Sequence, residues 1–193
     1  MRLALFGGTF NPIHIGHLYV AEEVLVSLRY DKVVFVPAYR PAHKSISPSD
    51  DPKNRLAMVQ LAVKDRSEFL VEDCEILRQS TSYTLDTIDY LYRSYSITGR
   101  IGLIIGEDLV AGFPTWKMVH EVLQKVDIVI AYRTQRVPFP FPVPVQYVEN
   151  LVLPISSSDI RRRVRERKAF RYLVPETVYG YIQDKGLYLY EDD

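Results

Sequence analysis

Two histidines three residues apart, His14 and His17, close the stretch Gly7-Gly8-Thr9-Phe10-Asn11-Pro12-Ile13-His14-Ile15-Gly16-His17. The stretch follows a short apolar run and opens a segment with helical spacing. Glycines at such a turn let backbone N–H groups close on an anion, and a helix start adds partial positive charge and unsatisfied donors. Residues three apart share one side of a helix, so two imidazoles there become donors to phosphoryl oxygens. On this reading the backbone of Gly7, Gly8, Thr9 and Phe10 binds phosphate, and His14 and His17 act near the reacting centre. Each part alone has a plainer explanation, since paired glycines make turns and a single histidine is usually structural. The combination of strand, Gly-Gly-Thr-Phe, proline and His-x-Gly-His favours chemistry. No Gly-Lys-Ser/Thr follows, so it is not a P-loop, and it is not the Gly-x-Gly-x-x-Gly dinucleotide fingerprint. Lacking a third histidine or a carboxylate within a turn, the pair is not read as a zinc site. No residue is assigned to a resident metal.

A second candidate is Ile155-Ser156-Ser157-Ser158-Asp159-Ile160-Arg161. Hydroxyls just before a helix cap it and leave its N–H groups facing a ligand. Ser156, Ser157 and Ser158 are therefore assigned to phosphate binding. Arg161, one turn in, reaches phosphate oxygens with its rigid fork. The plain alternative is a serine cap with Arg161 in solvent. Arg162, Arg163, Arg165, Arg167 and Lys168 are read as a solvated basic face. The formal net charge is zero and the basic run lacks interleaved aromatics, so a nucleic-acid partner is not expected.

The elements that position these residues follow from hydrophobic period. Leu3–Phe6, Val33–Val36, Phe69–Val71, Ile101–Ile105 and Asp127–Ala131 are short, apolar or β-branched runs ended by glycine, proline or polar residues, as in buried parallel strands. Tyr147–Leu153 is the candidate last strand. Helical spacing marks the segments from His17, Leu56, Thr84 and Thr115, then Ser158–Lys168 and Pro175–Gln183. Strands alternating with helices specify an α/β fold, a Rossmann-like parallel sheet with helices on both faces. At 193 residues the chain is expected to be a single domain, 1–193, with a small helical portion from about 156. Prolines 138, 140, 142 and 144 make Val137–Pro144 a surface loop rather than a central strand; a proline-rich docking peptide is the lesser alternative.

The one cysteine, Cys74, has no partner for an internal disulfide, which fits a reducing cytoplasm. No catalytic-cysteine pattern surrounds it. No apolar run approaches membrane-spanning length, so a cytoplasmic protein without membrane contact is expected. A homo-oligomer is compatible with these data.

Gly-Gly-Thr-Phe-Asn-Pro-Ile-His-Ile-Gly-His and Ile-Ser-Ser-Ser-Asp-Ile-Arg resemble the two signatures of the nucleotidyltransferase superfamily. Those are usually written with aspartate where Asn11 stands and often with threonine where Ser158 stands. Pro41-Ala42-His43-Lys44, Ser82-Tyr83-Thr84-Leu85-Asp86-Thr87, Gly106-Glu107-Asp108 with Phe113-Pro114-Thr115-Trp116-Lys117, and the C-terminal Leu173-Val174-Pro175 to Gly186-Leu187-Tyr188 are similar to stretches of the bacterial nicotinate-nucleotide adenylyltransferases. Ala42 departs from that pattern. Phosphopantetheine adenylyltransferases lack the Gly-x-Asp to Trp segment and are less similar.

The resemblance implies that the 5′-phosphate of nicotinate mononucleotide attacks the α-phosphorus of ATP, with Mg²⁺ accompanying ATP. It gives nicotinate adenine dinucleotide and pyrophosphate. A phosphate monoester has its second pKa near ~6 and is already ionised at neutral pH, so alignment and charge neutralisation suffice. Lys44 and Arg161 are then cationic clamps beside His14 and His17. Asp108 would bind ribose and Trp116 would stack on the pyridine ring. Backbone donors at Thr84, or at a helix start between Thr115 and Lys117, would hold the nicotinate carboxylate. Core packing for Trp116 and helix capping for Asp108 are the plain alternatives. A non-catalytic nucleotide-binding module is the other function class; intact His14, His17, Lys44 and Arg161 argue against it.

Overall fold

The computed structural model describes residues 1–41, 50–132, 141 and 143–190. The elements run β1 (Leu3–Gly8), α1 (Ile15–Ser27), β2 (Lys32–Pro37), β3 (Arg40–Pro41), α2 (Pro52–Val63), β4 (Phe69–Val71), α3 (Cys74–Arg78), β5 (Thr81–Ser82), α4 (Thr84–Ser94), β6 (Ile101–Gly106), α5 (Glu107–Val110), α6 (Val119–Lys125), β7 (Val126–Ala131), β8 (Val145–Val148), α7 (Ser157–Arg165) and α8 (Glu176–Lys185). Six strands form one parallel sheet in the order β4-β2-β1-β6-β7-β8. β3 and β5 pair separately, also in parallel. The expected Rossmann-like α/β sheet is the one that forms.

Side-chain alternation along each strand builds two cores. Ala4, Val33, Phe35, Ile104 and Val129 face α1, α2, α7 and α8, packing on Ala21, Val24, Met58, Ile160, Val164, Val178 and Ile182. Leu3, Leu5, Val34, Val36, Leu103, Ile105, Ile128 and Ile130 face Cys74, Ile88, Leu91 and Val122 of α3, α4 and α6. Both faces are covered, which is why the central strands read as unbroken apolar runs. No helix among the described residues is long and apolar enough to cross a membrane.

The chain winds from β1 outward through β2 to β4, then returns to the other side of β1 and winds outward through β6, β7 and β8. The reversal lies between β1 and β6, which pair through Ala4–Gly102 and Leu5–Leu103. Open α/β sheets bind ligands outside the carboxyl ends of the strands at such a point. Gly7 and Gly8 end β1 there, and Gly106 ends β6.

Two expected elements differ. The helix expected from Thr115 begins at Val119. Phe113–Thr115 is a single 3₁₀ turn, Trp116 is extended, and Met118 takes φ +55°, a left-handed conformation that interrupts a right-handed helix. The apolar spacing through Trp116 instead serves packing on Phe113, ring centroids 4.9 Å apart. The last strand is Val145–Val148 rather than Tyr147–Leu153. Beyond Val148 the buried Asn150 side chain replaces backbone pairing: its Oδ1 accepts from Tyr132 N–H at 3.0 Å and its Nδ2 donates to Tyr132 carbonyl at 2.8 Å. Leu151 is consequently left exposed. Most of the expected proline loop, including Pro138, Pro140 and Pro142, lies outside the described residues, as does Lys44.

Candidate active site

The loop from Gly8 to His14 joins β1 to α1. Phe10, at φ +51°, folds its ring back over Gly8, where a Cβ would lie 2.9 Å from the ring. Phe10 then meets Phe6 and His17 edge-on, at centroid distances of 5.7 and 5.1 Å. His14 is the N-cap residue of α1, extended at φ −144°. It is buried, and its ring stacks on His17 at 3.7 Å. A Cβ on Gly16 would come within 3.1 Å of the His14 ring, which explains the glycine between the two histidines. The first turn of α1 carries no acidic residue, so nothing there offsets the positive end of the helix. His17 Nδ1 accepts from the His14 N–H at 3.2 Å, which puts the proton of a neutral ring on Nε2.

The two signatures, far apart in sequence, are joined in space. Ser157 Oγ donates to Pro12 carbonyl at 2.9 Å and Arg161 Nη1 donates to Asn11 carbonyl at 2.7 Å. Ser156 caps α7 by accepting from Asp159 N–H at 3.0 Å, and Arg161 Nη2 reaches Ser158 Oγ at 3.3 Å. A cavity of about 1090 Å³ opens here, walled by Gly7, Gly8, Thr9, Phe10, His14, His17, Ser156, Ser157, Ser158 and Arg161, and also by Gly106 and Asp108. That exceeds the ~300–1,000 Å³ usual for one small ligand and suits two mononucleotides. Asp108 is exposed at the start of α5, where the strand β6 ends.

Thr84, Trp116 and Lys117 lie outside that wall. Thr84 opens α4 as expected, behind an extended Tyr83, and Lys117 Nζ sits 4.0 Å above the Tyr83 ring. Trp116 is half-buried against the second core. The expected helix start between Thr115 and Lys117 is absent, because the helix begins at Val119. Of the two helix starts expected to meet the carboxylate, only the one at Thr84 forms.

Four contributors escaped the sequence reading. Arg55 of α2 is fully buried; its Nε donates to Asp50 at 2.9 Å and its Nη atoms to the carbonyls of Thr9 at 2.9 Å, Ala38 at 2.6 Å and Tyr39 at 3.1 Å. It ties the glycine loop to the end of β2. Arg165 lines the cavity one turn beyond Arg161, so the basic face is not wholly solvent; the spacing of four from Arg161 was the available signal. Tyr188 lines the cavity from the C-terminal side. Buried Glu75 accepts from Thr87 and carries a carboxyl held above its ordinary pKa, chiefly by burial, against hydrogen bonds from Ser82 and Thr87. Ser82 Oγ also accepts from Tyr39 N–H at 3.1 Å, so Glu75 braces the approach to α4. Burial first, and then Glu75, push the Cys74 thiol up to about 12. It is no nucleophile at neutral pH. Among the described residues no group of three His, Cys, Asp or Glu side chains could hold a metal ion.

The cytidylyltransferase-like family model matches residues 5–163. A Borrelia garinii protein named "Probable nicotinate-nucleotide adenylyltransferase" is 39% identical over 98% of this chain and 95% of its own. One of the same name from Caldicellulosiruptor saccharolyticus is 35% identical over 97% of this chain and 99% of its own. Among solved structures, a Plasmodium falciparum nicotinic acid mononucleotide adenylyltransferase complexed with NaAD superposes with a TM-score of 0.74 at 20% identity, covering 98% of both chains. That likeness is one of fold. With both signatures meeting at the sheet's switch point and relatives matched almost end to end, the chain belongs to the cytidylyltransferase-like family, among the nicotinate-nucleotide adenylyltransferases.

Proposed function

We infer that this protein transfers the AMP part of ATP to nicotinate mononucleotide, giving nicotinate adenine dinucleotide and pyrophosphate, a step of NAD biosynthesis. The observation that carries this reading is the joining of the glycine loop to the α7 N-terminus, through Ser157–Pro12 and Arg161–Asn11, beside a cavity with room for both nucleotides. The names of the relatives give the substrate.

ATP phosphates are held by the N–H groups of Gly8, Thr9 and Phe10, with Gly7 at the end of β1 leaving space for them, and by the α7 start with Ser156, Ser157 and Ser158. His17, with its Nε2 proton fixed by the His14 contact, donates to oxygens that gain charge as the α-phosphorus is attacked. His14, stacked behind it, donates to the same group and sets its orientation. Arg161 clamps the polyphosphate; Lys44, expected from the sequence as a second cationic clamp, lies outside the described residues. The nucleophile is already ionised, so no general base is required. Mg²⁺ accompanying ATP would be held largely by the phosphates, as is usual for this ion, and would supply neutralisation of their charge. The chain's own residues supply alignment.

Asp108 accepts from ribose hydroxyls. The nicotinate ring reaches beyond the cavity wall towards Trp116, and its carboxylate is met there by the first N–H groups of α4 at Thr84, with Lys117 adding positive charge nearby. Pyrophosphate release should require both ATP and nicotinate mononucleotide. Release from ATP alone, or none with both, contradicts this assignment.

A further inference from the structure

Asn11 is surrounded by groups that demand opposite things of it. Its Nδ2 donates to Asp50 Oδ2 at 2.7 Å, and its Oδ1 accepts from the Tyr188 hydroxyl at 2.6 Å. Its carbonyl accepts from Arg161. The other oxygen of Asp50 accepts from Arg55, whose guanidinium holds the carbonyls of Thr9, Ala38 and Tyr39. Tyr188 is a neutral donor, since burial pushes its phenol up and Asp50 adds to that. Asp50, paired with a buried guanidinium, is an acceptor only.

One side chain must therefore donate towards Asp50 and accept from Tyr188. A carboxamide of this length does both. A carboxylate satisfies Tyr188 but faces Asp50 with like charge at hydrogen-bond distance. An apolar residue leaves both partners buried without a bond. The asparagine, where the signature is usually written with aspartate, is thus matched to Asp50.

We propose that Asn11 is a positioning residue whose carboxamide ties the C-terminal Tyr188 and the buried Asp50–Arg55 pair to the glycine loop and so fixes the phosphate-binding geometry. The chain runs Tyr188, Asn11, Asp50, Arg55, Thr9, with Arg161 joined to the backbone of Asn11. It connects the segment after α8 to the ATP phosphates, and each link is a hydrogen bond of 2.6–2.9 Å. The proposal rests on the reading that ATP binds here.

The test is a double-mutant cycle on the full chain, reading Kd for ATP by titration calorimetry, KM for ATP and for nicotinate mononucleotide, and the melting temperature. Asn11→Asp should weaken ATP binding about tenfold and raise KM for ATP in parallel, leaving KM for nicotinate mononucleotide within about twofold. Asn11→Asp/Asp50→Asn exchanges donor and acceptor while keeping one carboxylate, and should return Kd for ATP to within about threefold of wild type. Tyr188→Phe removes one hydroxyl and should weaken ATP binding a few-fold without loss of folding; it serves if Asn11→Asp does not fold. An unchanged Kd in the folded single variants overturns the proposal, as does a folded double variant no better than Asn11→Asp. So does a cycle in which melting temperatures move and are rescued while Kd stays constant, because the role is then structural only. Wild-type protein that binds ATP but releases no pyrophosphate removes the enzymatic reading and leaves this cycle interpretable.

Discussion

Arg161 and Asn11 stand 150 positions apart in the chain, yet the guanidinium donates to the asparagine carbonyl at 2.7 Å. One prong is thereby fixed on the glycine loop and another on Ser158, so the planar group is held in one orientation towards the cavity. Arg161→Lys keeps the charge but loses this two-sided anchoring. Hydrogen bonds involving charged groups contribute ~1.5–3 kcal/mol, so kcat/KM for ATP should fall roughly ten- to a hundredfold. Arg162→Lys, an exposed partner of Asp159, should stay within about twofold. Steady-state kinetics with varied ATP checks this; equal effects at the two positions would misplace the clamp.

His17→Ala should lower kcat on the order of a hundredfold or more, the usual cost of one preorganised donor to transition-state charge. His17 is only half-buried, and its ring contacts are with Phe6, Phe10 and His14, so melting should change little by comparison. A variant that melts normally and turns over at the wild-type rate takes His17 out of the mechanism.

Gly16→Ala probes the histidine stack. The added methyl would press on the His14 ring at 3.1 Å. Crowding costs ~1–3 kcal/mol, while alanine regains up to ~1 kcal/mol of helix propensity, so stability should fall modestly. Turnover should drop tenfold or more, since small displacements of reacting groups are costly. Melting and kcat measured on one preparation separate the two. A larger loss of stability than of turnover would refute the positioning role.

Glu75 gives a pH signature. Its folded-state pKa is raised, chiefly by burial, so the native state binds its proton more tightly than the unfolded chain. Below the unfolded pKa both states are protonated and no penalty exists. As pH rises through the folded pKa, the buried carboxylate must ionise and wild type loses stability. Glu75→Gln escapes this, so its melting temperature relative to wild type should climb as pH rises above the ordinary carboxylate range. A relative stability that falls over that rise would contradict the assignment.

The central strands were legible because burial on both sheet faces leaves unbroken apolar runs, and the glycine loop because its residue types serve an anion. What was not legible depends on partners distant in sequence. Arg55 reads as an ordinary helical arginine until Thr9, Ala38 and Tyr39 converge on it. Asn11 reads as a mild departure until Asp50 and Tyr188 flank it. The start of α6 lies later than the sequence implies because Trp116 continues an apolar rhythm that the left-handed Met118 interrupts. The last strand is shorter than its apolar run because Asn150 replaces backbone pairing with its side chain.

The acceptor of the adenylyl group is a pyridine nucleotide bearing a carboxylate. The direct measurement is kcat/KM for nicotinate mononucleotide and for its amide, with ATP and Mg²⁺ held constant. Charge-assisted hydrogen bonds from the α4 start are about twice as strong as neutral ones, and Lys117 over Tyr83 adds to the preference. The acid should be favoured by about tenfold or more, with some activity on the amide, whose oxygen still accepts. An amide used as well as the acid, or better, would contradict the substrate assignment.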